Sequence, residues 1–121
     1  MTFRGNSVGR REAMSRYVIV TSRDLYEYAS SPYVLELAGA LKNRGHEVTL
    51  YLIENGVLAA RKGAQLAARL SDLSRAGVTV LAEDVSAKAR GIEQVAEGVR
   101  LSNMDELADL IVDGCDKVIW Y

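Results

Sequence analysis

Residues 44–53, which read Arg-Gly-His-Glu-Val-Thr-Leu-Tyr-Leu-Ile, decide the fold class. The glycine ends a helix, because glycine adopts the left-handed conformation of helix ends at little cost. The apolar run that follows is short and partly β-branched, which is typical of a strand buried in a parallel sheet. The same junction recurs at residues 75–81 and 114–121. Three helix–glycine–strand junctions predict an alternating α/β domain with a parallel sheet.

Composition limits the classes of protein to which the chain can belong. The 121 residues are 49% hydrophobic and 26% charged, with a formal net charge of -1, as expected for one folded domain. No excess of cations is present to neutralise phosphates, so nucleic acid is not an expected partner. No apolar stretch approaches the ~20 residues of a membrane span, so no membrane is expected either. A single cysteine favours a reducing, cytoplasmic location.

The order of the predicted elements follows from hydrophobic periodicity and from helix-capping residues. Residues 1–15 carry arginines without an apolar period and are predicted to be a disordered tail, which leaves residues 16–121 as a single domain. Ser31-Pro32 is a helix-start signal, and so is Asn103 followed by Glu106. The predicted strands cover residues 17–21, 47–53, 78–82, 99–101 and 117–121, and a further helix covers residues 64–76.

The carboxyl ends of the predicted strands carry most of the polar candidates. Ligands bind at this edge of parallel sheets. The candidate site comprises Arg23, Glu54, Asn55, Glu83, Asp84 and Arg90. The adjacent carboxylates of Glu83 and Asp84 suit a general base or a metal ligand, or else they are solvated loop residues that cap the next helix. We expect Arg23 to be their nearest counter-ion, with Arg61 and Arg90 as alternatives from flanking loops, within a carboxylate–arginine cluster in a shallow cleft.

Several other chemistries lack their residues. The sequence has neither a P-loop nor a Gly-x-Gly-x-x-Gly fingerprint. His46 and Cys115 each precede a predicted strand, which places them at the edge opposite the candidate site. We therefore predict a turn role for His46 and a small buried hydrophobic role for Cys115. The sequence predicts no cofactor and no metal site.

Several segments, in the order in which they occur, carry a family resemblance. They are YVIVTS at 17–22, LKNRGHEVTL at 41–50, ENGVLAARKG at 54–63, AKARGI at 87–92, SNMDEL at 102–107 and DKV at 116–118. Together they resemble the DsrE/DsrF-like family over residues 16–121. The resemblance implies a three-layer α/β/α sandwich around a five-stranded parallel sheet. It also implies homo- or hetero-oligomers, often trimers or hexamers, and a role in sulfur trafficking.

One departure from the family concerns its chemistry. Sulfur-carrying members place a cysteine eight residues before the glycine of an Arg-Gly pair, and counting back from Gly91 reaches Glu83. Ser86 stands where some members have a second cysteine. A persulfide carrier needs a thiolate that attacks a sulfane sulfur, which neither residue supplies. The resemblance therefore implies a sulfur-relay subunit without its reactive atom.

Two functions of different classes are compatible with these observations. The first is a non-catalytic oligomeric subunit that scaffolds, or docks with, a thiol-bearing sulfur-transfer protein. The alternative is a small-molecule-binding protein or an enzyme that uses the carboxylate/arginine cluster at the strand edge. The aromatic residues Tyr26, Tyr28, Trp120 and Tyr121 are of the type favoured at interfaces. With the resemblance, they predict a homo-oligomer, most commonly a trimer or hexamer.

Overall fold

The computed structural model describes residues 13–26 and 32–121. The strands are β1 (Arg16–Thr21), β2 (Glu47–Leu52), β3 (Thr79–Glu83), β4 (Val99–Ser102) and β5 (Lys117–Trp120). The helices are α1 (Pro32–Asn43), α2 (Ala67–Arg75), α3 (Asp84–Ala89) and α4 (Met104–Asp113), and a 3₁₀ segment covers Glu54–Ala60. The predictions made for residues 1–12, for the Ser31 cap and for Tyr28 lie outside the described residues.

The five strands form one parallel sheet in the order β4-β3-β2-β1-β5. Two apolar clusters lie on its two faces. The larger cluster joins Leu50 of β2 to residues of α1 and α2, such as Leu35 and Leu70. The smaller one joins Tyr51, the next residue of β2, to Leu107 of α4. Helices therefore cover both faces, which confirms the three-layer α/β/α sandwich.

The helix–glycine–strand junctions follow the prediction at two of three places. Gly45 and Gly77 have φ values of 91° and 107°, the left-handed conformation expected of glycines that end helices. Gly114 has φ -113°, so the prediction of a left-handed cap is wrong there. A Cβ at that position would lie 3.2 Å from the Leu110 carbonyl oxygen. The small size of Gly114, rather than its backbone freedom, suits this junction.

The start of α2 differs from the prediction, and a short helix connects to the end of β3. α2 begins at Ala67 and not near residue 64, because a turn over residues 61–66 precedes it. The six-residue helix α3 follows β3 directly. This abrupt strand-to-helix connection places Glu83 and Ser86 one helical turn apart at the carboxyl edge of the sheet. Within the described residues, no helix has the length and apolar character of a membrane span.

Candidate functional site at the carboxyl edge of the sheet

Glu83 ends β3 and is the N-cap of α3. Its Oε1 accepts a hydrogen bond from the backbone N–H of Ser86 at 3.0 Å and a second, short one from the Ser86 hydroxyl. Only 6% of Glu83 is exposed. The alternative that Glu83 is a solvated loop residue is therefore wrong, although its helix-capping role is confirmed. The carboxylate is buried because Ser86 supplies two donors to it.

The Ser86 hydroxyl also connects this carboxylate to the end of β2. Its oxygen accepts a hydrogen bond from the backbone N–H of Glu54 at 2.8 Å while its proton goes to Glu83. Glu54 has φ 49°, the only positive value among the described residues other than glycine. A left-handed backbone conformation costs free energy in a residue with a Cβ. The chain therefore turns sharply here, and the Glu54 side chain points outward, where it is exposed.

A close backbone contact lies beside this turn. A Cβ on Gly56 would come within 2.4 Å of the Thr21 carbonyl oxygen, so only glycine fits without movement. That oxygen accepts the backbone N–H of Ile53 at 3.0 Å. The Thr21 hydroxyl, by contrast, is fully buried and is the one buried side-chain polar atom among the described residues without a hydrogen-bond partner. The ends of β1 and β2 thus pack tightly around a polar atom that lacks a partner.

The structure brings Arg90 and Asn55 together, as members of the candidate site. Arg90 Nε donates to Asn55 Oδ1 at 3.1 Å, and Arg90 Nη1 donates to the Ser86 carbonyl oxygen at 3.1 Å. Asp84 is exposed, and its Oδ1 accepts the N–H of Val85 at 2.7 Å. Asp84, but not Glu83, lines a shallow cleft beside α3. The two adjacent carboxylates therefore face different environments.

Arg23 does not form the expected ion pair with Glu83. Its guanidinium carbon lies 5.5 Å from the ring centroid of Tyr121, a cation–π distance. The ion pairs found within the described ranges are Arg16–Asp116, Arg75–Asp72 and Arg100–Glu106. Glu83 belongs to none of them, because a serine occupies the place predicted for an arginine. Whether Arg23, Glu54, Asn55, Glu83, Asp84 and Arg90 bind a ligand stays a prediction.

A second polar network, which the sequence analysis missed, lies at the end of β4. The fully buried Tyr51 donates its hydroxyl proton toward Ser102 Oγ (3.0 Å) and the Asn103 carbonyl oxygen (2.8 Å). Ser102 donates to Glu106, which also receives Arg100 Nη1 at 3.1 Å and Nη2 at 2.7 Å. This network fixes the start of α4 to β2 and β4.

The capping residues of α4 offered a partial signal for that network. Asn103 Oδ1 accepts the N–H of Glu106 at 2.8 Å, so the predicted N-cap is confirmed. In a capping box, the Glu106 carboxylate would return to the backbone N–H of Asn103. Instead it binds Arg100 and Ser102. Prediction of the pair between Arg100 and Glu106 requires knowledge of how α4 folds back over β4, which the local sequence does not give.

Electrostatics differ between the members of this second network. The hydrogen bond from Arg100 holds the pKa of Glu106 below its usual value, and the bond from Ser102 acts in the same direction. The same pair raises the pKa of Arg100. Burial raises the pKa of the Tyr51 hydroxyl above its ordinary value, although the bond with Ser102 opposes this. At neutral pH, an ionised Glu106 therefore lies near a neutral Tyr51.

His46 and Cys115 lie at the opposite edge, as predicted. His46 is buried in the turn before β2, where its Nδ1 accepts the N–H of Ser15 at 3.1 Å and its ring meets Tyr17 edge-on. Cys115 is half-buried, so the prediction of a buried residue is wrong, although it packs against the smaller apolar cluster. Its thiol donates weakly to the Ile111 carbonyl oxygen at 3.6 Å. Across residues 13–26 and 32–121, no three His, Cys, Asp or Glu side chains are grouped as metal ligands.

Comparisons with known proteins place this geometry among its relatives. The sequence pattern of the DsrE/DsrF-like family matches residues 15–121. Protein TusB of Pectobacterium parmentieri is 32% identical over 97 residues, which are 79% of this chain and 99% of TusB. The crystal structure of the ychN protein from E. coli aligns with a TM-score of 0.81 at 26% identity, over 89% of this chain and 100% of ychN. A protein of unknown function from Methanobacterium thermoautotrophicum, MTH1491, shares the fold (TM-score 0.70, 20% identity, 88% of this chain and 99% of that one).

Proposed function

Because this chain belongs to the DsrE/DsrF-like family, we propose that it is a non-catalytic subunit of a sulfur-relay assembly. The similarity to TusB over nearly the whole length of that protein supports the assignment. One observation carries the non-catalytic part of the proposal. At the position that the resemblance assigns to the carrier cysteine, Glu83 is buried and held by Ser86.

Neither residue of this pair can carry sulfur. Sulfur relay requires a thiolate that attacks a sulfane sulfur and leaves a persulfide on the carrier. A carboxylate and a hydroxyl form no such bond. Ser86 is further occupied, since its oxygen accepts the Glu54 N–H and its proton goes to Glu83. In this proposal, Glu83 and Ser86 have a structural role, and a thiol-bearing partner protein carries the sulfur.

The assembly consists, in this proposal, of several copies of this chain together with that sulfur-transfer partner. Trp120 and Val118 of the edge strand β5 support a homo-oligomer, because 62% and 43% of these large side chains are exposed. Tryptophan is favoured at interface centres. A trimer or hexamer in the cytoplasm agrees with the family resemblance and with the single cysteine. Light scattering at micromolar concentration measures the number of copies, and a monomer mass contradicts this part.

Incubation with a small-molecule persulfide donor, followed by intact mass spectrometry, tests the non-catalytic role. We expect no adduct of one sulfur atom on the wild-type chain. Glu83→Cys serves as the positive control, since it returns a thiol to the carrier position. Cys115→Ser identifies the source of any adduct on the natural sequence. A wild-type adduct that disappears in Cys115→Ser contradicts the proposal.

The alternative function, a small-molecule-binding protein or enzyme, has one specific observation in its favour. The strained Glu54 backbone and the unpartnered Thr21 hydroxyl lie at the carboxyl edge of adjacent strands. Strained residues are frequent at functional sites. Native mass spectrometry of the purified protein separates the two functions. A retained metal, nucleotide or anion that is lost in Arg90→Gln supports the alternative.

A further inference from the structure

The outer face of α4 carries two parallel stripes of exposed side chains. Asp105, Asp109 and Asp113 are spaced by four residues and form an acidic stripe. Met104, Ala108 and Val112 have the same spacing and form an apolar stripe directly beside it. Residues four apart lie on one helix face. The exposed fractions of Met104 and Val112 are 51% and 77%, so this face has no cover within the described residues.

Asp109 and Asp113 of the acidic stripe act against the stability of their own helix, whereas Asp105 lies in the first turn, where the helix dipole favours a carboxylate. Carboxylates four residues apart repel each other, and the negative end of the helix dipole disfavours a carboxylate in the last turn. α4 has no basic residue in that turn, whereas α1 ends with Lys42 and α2 with Arg75. No ion pair of the described chain includes the three aspartates. Their charge has no counterpart within this part of the molecule.

We propose that the outer face of α4 is the docking surface for an amphipathic helix of a partner protein, which carries lysine or arginine beside an apolar stripe. One-turn spacing on both helices sets basic side chains against the aspartates and apolar side chains against Met104 and Val112. The cations of the partner then relieve the repulsion within α4. This proposal rests on α4 alone, so the outcome of the persulfide experiment does not affect it.

A second copy of this chain fits the surface less well. Two α4 helices in contact would set aspartates against aspartates. In the cleft beside α3, Lys88 is accompanied by the carboxylates of Asp84 and Glu93, which would repel the aspartates of α4. The groove between α1 and α2, where Arg69 flanks Leu35 and Leu73, also contains Asp72. That groove is on the opposite face of the sheet from α4. A contact between opposite faces of successive copies is heterologous, and it closes into a ring only if the rotation between the copies allows it.

Calorimetric titration with a synthetic helical peptide, with lysines at one-turn spacing beside a leucine stripe, tests the proposal. We expect Asp109→Asn/Asp113→Asn to weaken binding about tenfold, as the loss of two surface charge pairs allows. The matched control Glu36→Gln/Glu93→Gln removes two exposed carboxylates elsewhere and should leave binding unchanged. A peptide of the same composition in scrambled order should bind more weakly to the natural chain.

Each other result contradicts the proposal. Equal losses in the control variant, or equal binding of the scrambled peptide, would indicate attraction by net charge alone. A melting temperature that falls in Asp109→Asn/Asp113→Asn, where we expect a small rise, would give the aspartates a structural role. Self-association that the same substitutions abolish would identify a second copy as the occupant. Tighter peptide binding after removal of residues 1–12 would identify that segment as the occupant.

Discussion

Two glutamates at the carboxyl edge of the sheet each bind a serine, but they differ in their other partners. Glu83 is 6% exposed and receives the N–H and the hydroxyl of Ser86. The Glu106 side chain is 35% exposed and receives the Ser102 hydroxyl and two nitrogens of Arg100. The buried carboxylate of Glu83 is bound by uncharged donors, the N–H and the hydroxyl of Ser86, from the next helical turn. The carboxylate at the surface pairs with a guanidinium group that stays hydrated.

The difference follows from the cost of desolvation. Burial of a guanidinium group together with a carboxylate removes two charges from water, and their attraction repays this cost only in favourable geometry. Ser86 adds no second charge, and its position three residues after Glu83 brings both donors to the carboxylate within one turn. Arg100 lies on an edge strand, where 59% of its side chain remains exposed. The location of each glutamate therefore determines the kind of partner it has.

The largest expected effect comes from Ser86→Ala, compared with Ser102→Ala. Ser86→Ala removes a donor from the buried Glu83 carboxylate and the acceptor of the Glu54 N–H, so we expect a loss of about 3 kcal/mol in the free energy of unfolding. Ser102→Ala leaves Glu106 bonded to Arg100 and Tyr51 bonded to the Asn103 carbonyl. We expect it to cost about 1 kcal/mol. Urea denaturation measures both values.

Ser71→Ala is the matched control for that comparison. Ser71 is also buried, but its hydroxyl donates to the neutral Glu97 carbonyl oxygen at 2.6 Å. Its removal measures the loss of a serine hydrogen bond without a carboxylate left unsatisfied. If Ser86→Ala costs no more than Ser71→Ala, the Glu83 carboxylate gains water or another partner on mutation. The contrast between the two glutamates would then lose its energetic basis.

A smaller effect is expected from the titration of Glu106. Its pKa in the folded protein is lowered from 4.5, first by Arg100 and then by Ser102, so the folded state favours the ionised form. The resulting stabilisation is complete above the unfolded pKa and is lost as the pH falls through the lowered folded value. Because the pair is exposed, we expect under about 1 kcal/mol. Urea midpoints between neutral and acidic pH measure this loss.

Arg100→Gln isolates the contribution of the ion pair to the pH dependence. We expect the variant to lose part of the acid-dependent decrease in stability that the natural chain shows. High salt should reduce the difference between the two proteins, because ions screen an exposed pair. If both proteins lose stability equally between neutral and acidic pH, Arg100 does not lower the pKa of Glu106, and the bond from Ser102 must account for it.

The fold was predictable because its signals are local. Gly45 and Gly77 end helices with left-handed backbones, and the Asn103 side chain caps α4, as their residue types and positions indicated. The failure at Gly114 has the same origin, since a glycine favoured by its small size resembles a capping glycine in sequence. The close approach of an added Cβ to the Leu110 backbone depends on helix geometry, which the spacing of residues does not reveal.

The candidate site was predictable in position but not in its bonding. The carboxyl edge was found because parallel strands end together, and Glu83 does lie near Ser86 and Glu54 there. The predicted partner of Glu83 was wrong. Charge complementarity suggested an arginine, whereas the burial of the carboxylate favoured an uncharged hydroxyl. Arg100 and Glu106 do form an ion pair, but the sequence analysis did not bring them together. Their pairing depends on the path of α4 over β4, a tertiary feature.

The smallest expected effect tests whether the Glu83 network imposes the Glu54 conformation. Glu54 has φ 49° and an exposed side chain, and relief of left-handed strain by Glu54→Gly gains roughly 1 kcal/mol. The greater freedom of glycine in the unfolded chain offsets about half of that gain, so we expect a net stabilisation of about 0.5 kcal/mol. Glu54→Asn, which tolerates this backbone conformation without added freedom, is the matched control.

If the bond between the Glu54 N–H and Ser86 holds the strained turn, Glu54→Gly should stabilise the Ser86→Ala background less than the natural chain. Equal gains in both backgrounds, measured by urea denaturation as a double-mutant cycle, would show that the turn is set by the close contact between Gly56 and Thr21 instead.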